Sequence, residues 1–317
     1  MDLKAFWLGW RRDIIRFVAL CSAALMLGLI INGLVGRARQ ARQRLTGLLP
    51  RGMSGLVSSF DDAADSTIGP LSTGETWTYR APVAPGRWVW IRDRSGSVTV
   101  GPTRGDSLEV SAVKRFGHSD PGTVRIVAVP GSDGITICAL WGRGDRDNRC
   151  GPGEAYRQRH VSHNDVRVHF TVRLPHGVAI GATTVSGSVR VAGASAPVVA
   201  GTVNGDVQAE TAQGPVNAYS VNGSVRAAMR GFADTGEVKV VTVNGAVTVE
   251  LPARLDATVD ANTVNGTIES DFPLTVEGKF VAHHAGGTLG AGGRHIELNS
   301  VNGSIRLKKI GQTSSPR

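Results

Sequence analysis

Aromatic residues and paired carboxylates are scarce in this chain of 317 residues. Aromatics make up 5% of the sequence, and they are not interleaved with a basic stripe, which argues against a nucleic-acid-binding surface. The net charge of +9 is spread along the chain. Asp61 and Asp62 are the only adjacent acidic pair, and they lie in a Ser- and Gly-rich stretch. We interpret them as solvated charges and not as a catalytic dyad.

Cysteine is also rare, with three residues in the chain. The sequence contains no C-x-x-C pair, so we expect no zinc site built on cysteines. Cys21 lies in an apolar run, whereas Cys138 and Cys150 flank a polar loop. In an oxidising compartment we expect Cys138 and Cys150 to form a disulfide. That disulfide would place the folded domain outside the membrane and the N-terminus inside.

Glycine is abundant, at 41 residues. It shows no Gly-x-y period, which excludes a collagen-like helix. Val and Thr dominate the periodic segments, and β-branched residues favour pleated sheet. Together these features predict many short strands joined by tight turns.

Residues 17–35 form an uncharged apolar run. As a helix it spans about 28 Å, close to the hydrocarbon thickness of a bilayer. Signal-peptide cores are shorter and end at a small-residue cleavage site, so a retained signal anchor is favoured over a cleaved signal or a buried soluble helix. We assign residues 1–50 to this transmembrane helix and its basic flanks. Residues 51–75 are assigned to a flexible linker. Four basic residues on each side leave the positive-inside rule silent.

The C-terminal half repeats one motif about every 18–22 residues. The copies read TVSGSVRV, TVNGDVQA, SVNGSVRA, TVNGAVTV, TVNGTIES and SVNGSIRL, beginning at 184, 202, 220, 242, 263 and 300. A partial copy, SGSVTV, begins at 95, and a degenerate copy, HAGGTLGA, begins at 284. Recurrence of one motif at a nearly fixed period is typical of stacked repeat units.

Each Asn-Gly pair predicts a turn, because both residues tolerate positive φ. The valines around it are expected to face inward, and Arg190, Gln208, Arg226, Thr248 and Arg306 to face solvent. Asn-Gly also favours β-hairpins, which would give a sandwich or prism. The repetition favours an all-β, β-solenoid-like stack over residues 76–312, with a disordered tail at 313–317. The predicted structural turns are Asn204-Gly205, Asn222-Gly223, Asn244-Gly245, Asn265-Gly266 and Asn302-Gly303.

Upstream of the repeats, the segment VRVHFTVRLP alternates clearly, with Val166, Val168, Phe170, Val172 and Leu174 on one side. This strand, the TVNGxV copies and the segment ANTVNGTIESDFPLTVEG resemble the bacterial putative-adhesin family of β-strand repeat proteins, often known only as a domain of unknown function. The resemblance covers roughly residues 76–310. It implies a β-repeat fold, and it brings no catalytic residue with it.

Other candidate sites are weak. His160 with His163, and His283 with His284, lack the three or four converging ligands that zinc requires. The tripeptide at 143–145 is a short match without context. A β-helix glycosidase would need two carboxylates, and only Asp206 follows a repeat turn. We therefore expect no catalytic, metal or cofactor-binding residue.

The predicted function is that of a non-catalytic, membrane-anchored cell-envelope protein with a structural, adhesive or surface-binding repeat domain. An envelope-stress regulator or a polymer-forming scaffold is the alternative, and a carbohydrate-active enzyme is a weaker one. Expected partners are the membrane, envelope polysaccharide or other surface proteins, and a second copy of the chain through strand edges. The chain is expected to be a single-pass bacterial membrane protein with its repeats in the periplasm or outside the cell.

Overall fold

Nearly all of the regular structure in the computed structural model is β-strand. The model describes residues 71–142, 148–151, 163–232, 236–277 and 283–311. Within these ranges, the one helical element is a short 3-10 helix at Pro121–Thr123. The strands form a ten-stranded sheet, called sheet A, and an eleven-stranded sheet, called sheet B. The described part is all-β, as the sequence predicts.

Seven strands precede the main run of repeats. Their bounds are β1 Ser72–Pro82, β2 Trp88–Arg92, β3 Val98–Pro102, β4 Ser107–Phe116, β5 Val124–Gly131, β6 Gly134–Trp141 and β7 Arg167–Leu174. The partial copy SGSVTV lies in the first coil, with β2 in sheet B and β3 in sheet A. Antiparallel pairs β1–β4, β4–β7 and β5–β6 lie outside this coil and close that end of the stack.

Each later repeat sends one strand into sheet B, turns at its Asn-Gly or Ser-Gly pair, and sends the next strand into sheet A. Equivalent strands of neighbouring coils pair in parallel, so the repeats stack as in a β-solenoid and do not form hairpins. The bounds are β8 Ala179–Thr183, β9 Val189–Ala194, β10 Val198–Gly201, β11 Val207–Thr211, β12 Val216–Asn222, β13 Val225–Met229, β14 Val238–Asn244, β15 Val247–Leu251, β16 Ala257–Asn265, β17 Ile268–Ser270, β18 Thr275–Glu277, β19 His283–Leu289, β20 Arg294–Asn302 and β21 Ile305–Lys309.

The stack departs from chain order at its C-terminal end. Strand β20 pairs with β14 on one side and with β16 on the other. In sheet A, β21 likewise lies between β15 and β17. The last repeat in sequence is therefore the last but one in space. Because the copies share the same turn and strand pattern, the motif alone does not specify which copy stacks on which.

The core lies between the two sheets and is built from the alternate residues of every strand. In β7 and the residue before it, the predicted inward set is confirmed: its members are at most 3% exposed, namely Val166, Val168, Phe170, Val172 and Leu174. In the repeats, valine and alanine dominate the inward positions, as at Val207, Ala209, Val225, Ala227, Val247 and Val249. Small side chains at these positions allow the two sheets to pack closely.

The valine before each Asn-Gly pair does not face the core, and that expectation is wrong. Period-two alternation places the preceding Thr or Ser inward and the valine on the outer side of sheet B. Val203 is still buried there, Val221 and Val243 are half-buried, and Val264 is 42% exposed. Exposure rises toward the C-terminal end of the stack.

Two other expectations differ from the structure. The degenerate copy at 284–291 is not a coil of the stack, because His283–Leu289 forms β19, antiparallel to β16. Strand β1 begins at Ser72, inside the segment assigned to the linker. The reason is that the backbones of Ser72 and Thr73 pair with those of Phe116 and Arg115 in β4. The apolar run at 17–35 and the tail at 313–317 lie outside the described residues. Within those residues, no helix is long and apolar enough to span a membrane.

Candidate functional site

The asparagines of the predicted turns form a ladder along one edge of the stack. Asn222 donates from Nδ2 to Oδ1 of Asn204 at 2.7 Å, and Asn244 donates in the same way to Asn222 at 2.8 Å. The ladder continues from Asn302 to Asn244 at 2.7 Å and from Asn265 to Asn302 at 2.8 Å. Asn204 is half-buried and the other four asparagines are exposed. Their hydrogen-bonding groups are largely occupied by one another, so we assign the ladder a structural role.

A second ladder lies inside the same edge and was not predicted from the sequence. The Thr or Ser that opens each repeat is buried and donates its hydroxyl to the glycine carbonyl of the preceding coil in the stack. Thr202 donates to Gly187 and Ser220 to Gly205, both at 2.8 Å. The equivalent donors elsewhere are Thr184, Thr242, Thr263 and Ser300. The invariant hydroxyl in the copies is the signal that could have revealed this ladder, because an inward polar residue needs a partner.

The glycines of the turns are needed for close approach between coils. A Cβ on Gly223 would lie 1.9 Å from the carbonyl oxygen of Gly205, and one on Gly205 would lie 2.2 Å from that of Gly187. Among the described residues, positive φ outside glycine occurs only at His163. The asparagines therefore do not adopt the positive φ expected of them, and the turns are corners of a coil rather than hairpin turns.

Cys138 and Cys150 lie together and are joined by a disulfide, with their Cα atoms 5.8 Å apart. Cys138 is fully buried in β6, and Cys150 belongs to the short described segment 148–151. The bond ties this segment to sheet B near the N-terminal end of the stack. The tripeptide at 143–145 and His160 lie outside the described residues.

Asp206 is exposed at the turn edge, where its Oδ1 accepts a hydrogen bond from the backbone of Ser224 at 2.8 Å. The equivalent residue in the preceding coil is Ser188. No second carboxylate occupies an equivalent position among the described coils, so the residue pair that a glycosidase needs is not formed here. His284 contacts Oδ1 of Asn262 through Nδ1 at 2.9 Å.

The outer face of sheet A carries a shallow depression of about 230 Å³. Ala228 of β13 forms its floor because its neighbours in register, Glu210 of β11 and Glu250 of β15, have longer side chains. Arg226 donates to Oε1 of Glu250 at 2.5 Å, and Arg230 donates to Oε1 of Glu210 at 2.9 Å. In the described structure, neither Oε2 has a hydrogen-bond partner. Two carboxylates and two guanidinium groups thus surround an open hollow.

The same face extends well beyond the depression. One row across the strands begins with hydroxyl residues and continues with Arg190, Gln208, Arg226, Thr248 and Arg306. All five lie on the solvent side, as predicted, and Gln208 and Thr248 are half-buried. Arg190 and Arg173 have no acidic partner within ion-pairing distance among the described residues. The face is therefore polar, with an excess of positive charge. Glu210 and Glu250 each lie three residues after an inward valine, Val207 or Val247. Alternation along a strand therefore places both glutamates on the outer face, and this spacing is the sequence signal for them.

Two buried titratable groups lie away from this face. Burial raises the pKa of Asp93 well above its ordinary value, although the backbone of Arg94, the Thr184 hydroxyl and the backbone of Ser95 act in the opposite direction. Burial also raises the pKa of Tyr219, against a smaller lowering by Arg92. Asp93 occupies the Thr position of the first coil, where its Oδ2 lies 3.3 Å from the Thr184 hydroxyl oxygen. We assign it to the inner ladder and not to a catalytic site.

Comparison with known proteins finds a similar family for the repeats. Residues 171–308 match the family model described as Toastrack DUF4097. This part of the chain is therefore similar to the Toastrack family. The resemblance to the adhesin-type repeat family inferred from the TVNGxV copies is thereby confirmed. The matched region, called the Toastrack region, contains the end of β7, β8–β20 and most of β21. It includes the asparagine ladder, the donors of the inner hydroxyl ladder and the depression on sheet A except Ile310.

Solved structures with a similar chain include a putative cell adhesion protein of Clostridium sporogenes. It shares 14% identity, with a TM-score of 0.41, over 74% of this chain and 100% of that one. A putative adhesin of Bacteroides fragilis shares 13% identity, with a TM-score of 0.33, over 74% of this chain and 97% of that one. None of the curated proteins matches the chain.

Proposed function

We propose that this protein is a non-catalytic, membrane-anchored component of the cell envelope whose Toastrack region binds an extended polysaccharide on the outer face of sheet A. The observation that carries this proposal is the hollow over Ala228, bordered by Glu210, Glu250, Arg226 and Arg230. It combines hydrogen-bond acceptors and donors on a rigid scaffold, which is the arrangement that fixes a bound ligand.

The chemistry of the hollow suits sugar hydroxyls. A hydroxyl group both donates and accepts, so it can donate to a free Oε2 of Glu210 or Glu250 and accept from a guanidinium group. Hydrogen bonds to charged groups are stronger than those between neutral groups. The hollow has no aromatic lining, so binding would depend on hydrogen bonds rather than on ring stacking.

The shape of the face supports a polymer over a small molecule. Small-molecule sites are usually concave cavities of about 300–1,000 Å³ with largely apolar walls. This hollow is smaller, open and charged. It lies on a ten-stranded sheet whose strands repeat about every 4.8 Å. An extended glycan crossing the strands would meet the hollow and then Arg190 and Arg173, which have no acidic partner among the described residues.

The same geometry argues against hydrolysis. A glycosidase needs one carboxyl group positioned to give a proton and a second to act as base or nucleophile. Here both Glu210 and Glu250 accept a hydrogen bond from an arginine. The arrangement therefore supports binding without bond cleavage.

The anchoring part of the proposal rests on the apolar run at 17–35 and on the disulfide, which favours an oxidising compartment. Protease treatment of intact cells and of spheroplasts tests it. Digestion of the repeats without lysis, leaving a membrane-bound N-terminal fragment, is the expected result. Full protection until lysis would place the repeats in the cytoplasm and contradict the proposal.

Binding is tested by cosedimentation of the full-length chain with insoluble cell-wall polysaccharide. We expect the double variant Glu210→Gln/Glu250→Gln to bind at least about tenfold more weakly, because two charge-assisted hydrogen bonds are lost. The matched control is Thr258→Ala, an exposed change on the outer face of sheet B, which should bind as the unchanged chain does. Equal binding by all three proteins, or no sedimentation at all, would contradict a binding role for sheet A.

A further inference from the structure

A second cluster of chemistry-bearing side chains lies on the outer face of sheet B. Strands β14 and β20 pair in parallel with Val238 opposite Ile296, which places Glu237 beside His295. Glu297 follows two residues after His295 and so faces the same side. One ligand atom from each of Glu237, His295 and Glu297 lies within 4.8 Å of the other two. Three potential ligands from two neighbouring strands thus converge.

The donor set indicates which ions could bind. Two carboxylates with one imidazole suit a first-row divalent transition metal, whereas sites for Mg²⁺ and Ca²⁺ are built from oxygen ligands alone. Three protein ligands leave positions for water, as in open zinc sites. Glu237 and His295 are exposed, so their side chains can close the separation to bonding distance without moving the backbone.

The surroundings of Glu297 support metal binding. Asn299 donates from Nδ2 to Oε1 of Glu297 at 2.6 Å, and such hydrogen bonds typically orient ligating carboxylates. Asp260 of β16 lies opposite Glu297 on the other side of β20. Lys239 contacts Oε2 of Glu297 at 2.8 Å. Glu237, Glu297 and Asp260 carry three negative charges against two positive charges. The positive charges belong to Lys239 and to Arg294, which donates to the carbonyl of Gly236. The local charge is therefore negative, which attracts a cation.

We propose that Glu237, His295 and Glu297 bind a first-row divalent transition metal ion of the Zn²⁺ class. The site joins β14 to β20, the strand pair at which the stack departs from chain order. Metal binding at this point stabilises the inserted last coil against its neighbour, since an ion that binds only the folded state raises stability. The site is on the face opposite to the hollow over Ala228 and is independent of it.

Isothermal titration calorimetry of the full-length, chelator-treated chain with Zn²⁺ tests the proposal. We expect one Zn²⁺ per chain and a rise in melting temperature on binding. His295→Ala and Glu237→Gln should each weaken Zn²⁺ binding by at least about tenfold. Lys239→Gln should strengthen it, because a positive charge next to a ligand opposes the ion. Mg²⁺ should not compete.

His176→Ala is the matched control, since this exposed histidine lies in the loop between β7 and β8. It should bind Zn²⁺ as the unchanged chain does. The proposal is overturned if His295→Ala binds Zn²⁺ with unchanged affinity, or if the unchanged chain shows no saturable binding. It is also overturned if Lys239→Gln weakens binding, because the lysine would then belong to an ion pair that organises the face without a metal.

Discussion

Asn222 and Asn204, 18 residues apart in the chain, are joined side chain to side chain by a hydrogen bond of 2.7 Å. Their backbones also pair in parallel, as an isolated bridge at the corner of the coil. The same relationship recurs up to Asn265 at the C-terminal end. An asparagine amide both donates and accepts, so each residue can form hydrogen bonds with the asparagines of the coils on either side. This explains why asparagine, and not another turn residue, recurs in the copies.

Replacing Asn222 by Asp should destabilise the protein by about 1–3 kcal/mol, because a carboxylate cannot donate to Asn204 and faces its oxygen. Asn222→Ala should cost less, about 1 kcal/mol, since the exposed neighbours can bind water instead. Urea unfolding measures both. Ser188→Ala is the control, an exposed turn residue outside the ladder, and should change stability by less than about 0.5 kcal/mol. Equal stability of the Asp and Ala variants would contradict the donor assignment.

The inner hydroxyl ladder predicts a cost for Thr202→Val. The side chains have nearly the same shape, but valine cannot donate to the Gly187 carbonyl, which the threonine hydroxyl reaches at 2.8 Å. Because the site is fully buried, we expect a loss of about 1–3 kcal/mol in thermal or urea unfolding. Thr248→Val, on the outer face of sheet A, is the matched control and should be close to neutral. If the two variants unfold alike, the buried hydrogen bond does not stabilise the stack.

The repeat period predicted the stacking, since similar copies such as TVNGDVQA and SVNGSVRA follow one another at a nearly fixed spacing. The sequence could not give the order of the last two coils, because the copies beginning at 263 and 300 carry the same turn and are interchangeable as neighbours. It also misplaced Val203 and its equivalents, because the alternation was assumed to restart at Asn-Gly. The hollow over Ala228 depends on three strands in register, and one sequence does not show that register.

Gly223→Ala should be poorly tolerated. The added Cβ would lie 1.9 Å from the Gly205 carbonyl oxygen, so the two coils must separate and lose hydrogen bonds on both sides. We expect a loss of about 3 kcal/mol or more in unfolding free energy. Gly105→Ala is the control, because its Cβ meets nothing closer than 4.0 Å. Similar melting temperatures for both variants would mean that the coils are not in close contact at Gly223.

Cys138→Ser should destabilise the oxidised protein by about 3 kcal/mol, the amount expected for closing a loop of this length. The disulfide spans 12 residues and fixes the segment 148–151 to β6. The unchanged protein, treated with reductant, should lose a similar amount, whereas Cys138→Ser should not respond to reductant. A reductant effect of equal size in the variant would show that the stabilisation has another source.

The buried carboxyl group of Asp93 makes the stability of the folded protein depend on pH in a defined direction. Burial raises its pKa in the folded protein above the value of 3.8 expected for the unfolded chain. Folding therefore favours the protonated acid, and the associated stability is complete below pH 3.8. It is lost progressively as the pH rises from there through the raised pKa. Asp93→Asn cannot ionise, so this variant should be more stable than the unchanged chain at neutral pH.

The pH dependence of stability contributed by Asp93 must be distinguished from that contributed by Asp165. Burial acts to raise the pKa of Asp165, but hydrogen bonds from the backbones of His118 and Ser119, from the Ser119 hydroxyl and from the Gly117 backbone lower it to about 2. Its contribution to stability is present above about pH 4 and lost toward pH 2, the opposite direction. Because both proteins contain Asp165, its effect cancels in the difference between Asp93→Asn and the unchanged chain. That difference in unfolding free energy should increase from pH 4 toward neutral pH, and a constant difference would show that Asp93 does not titrate in this range.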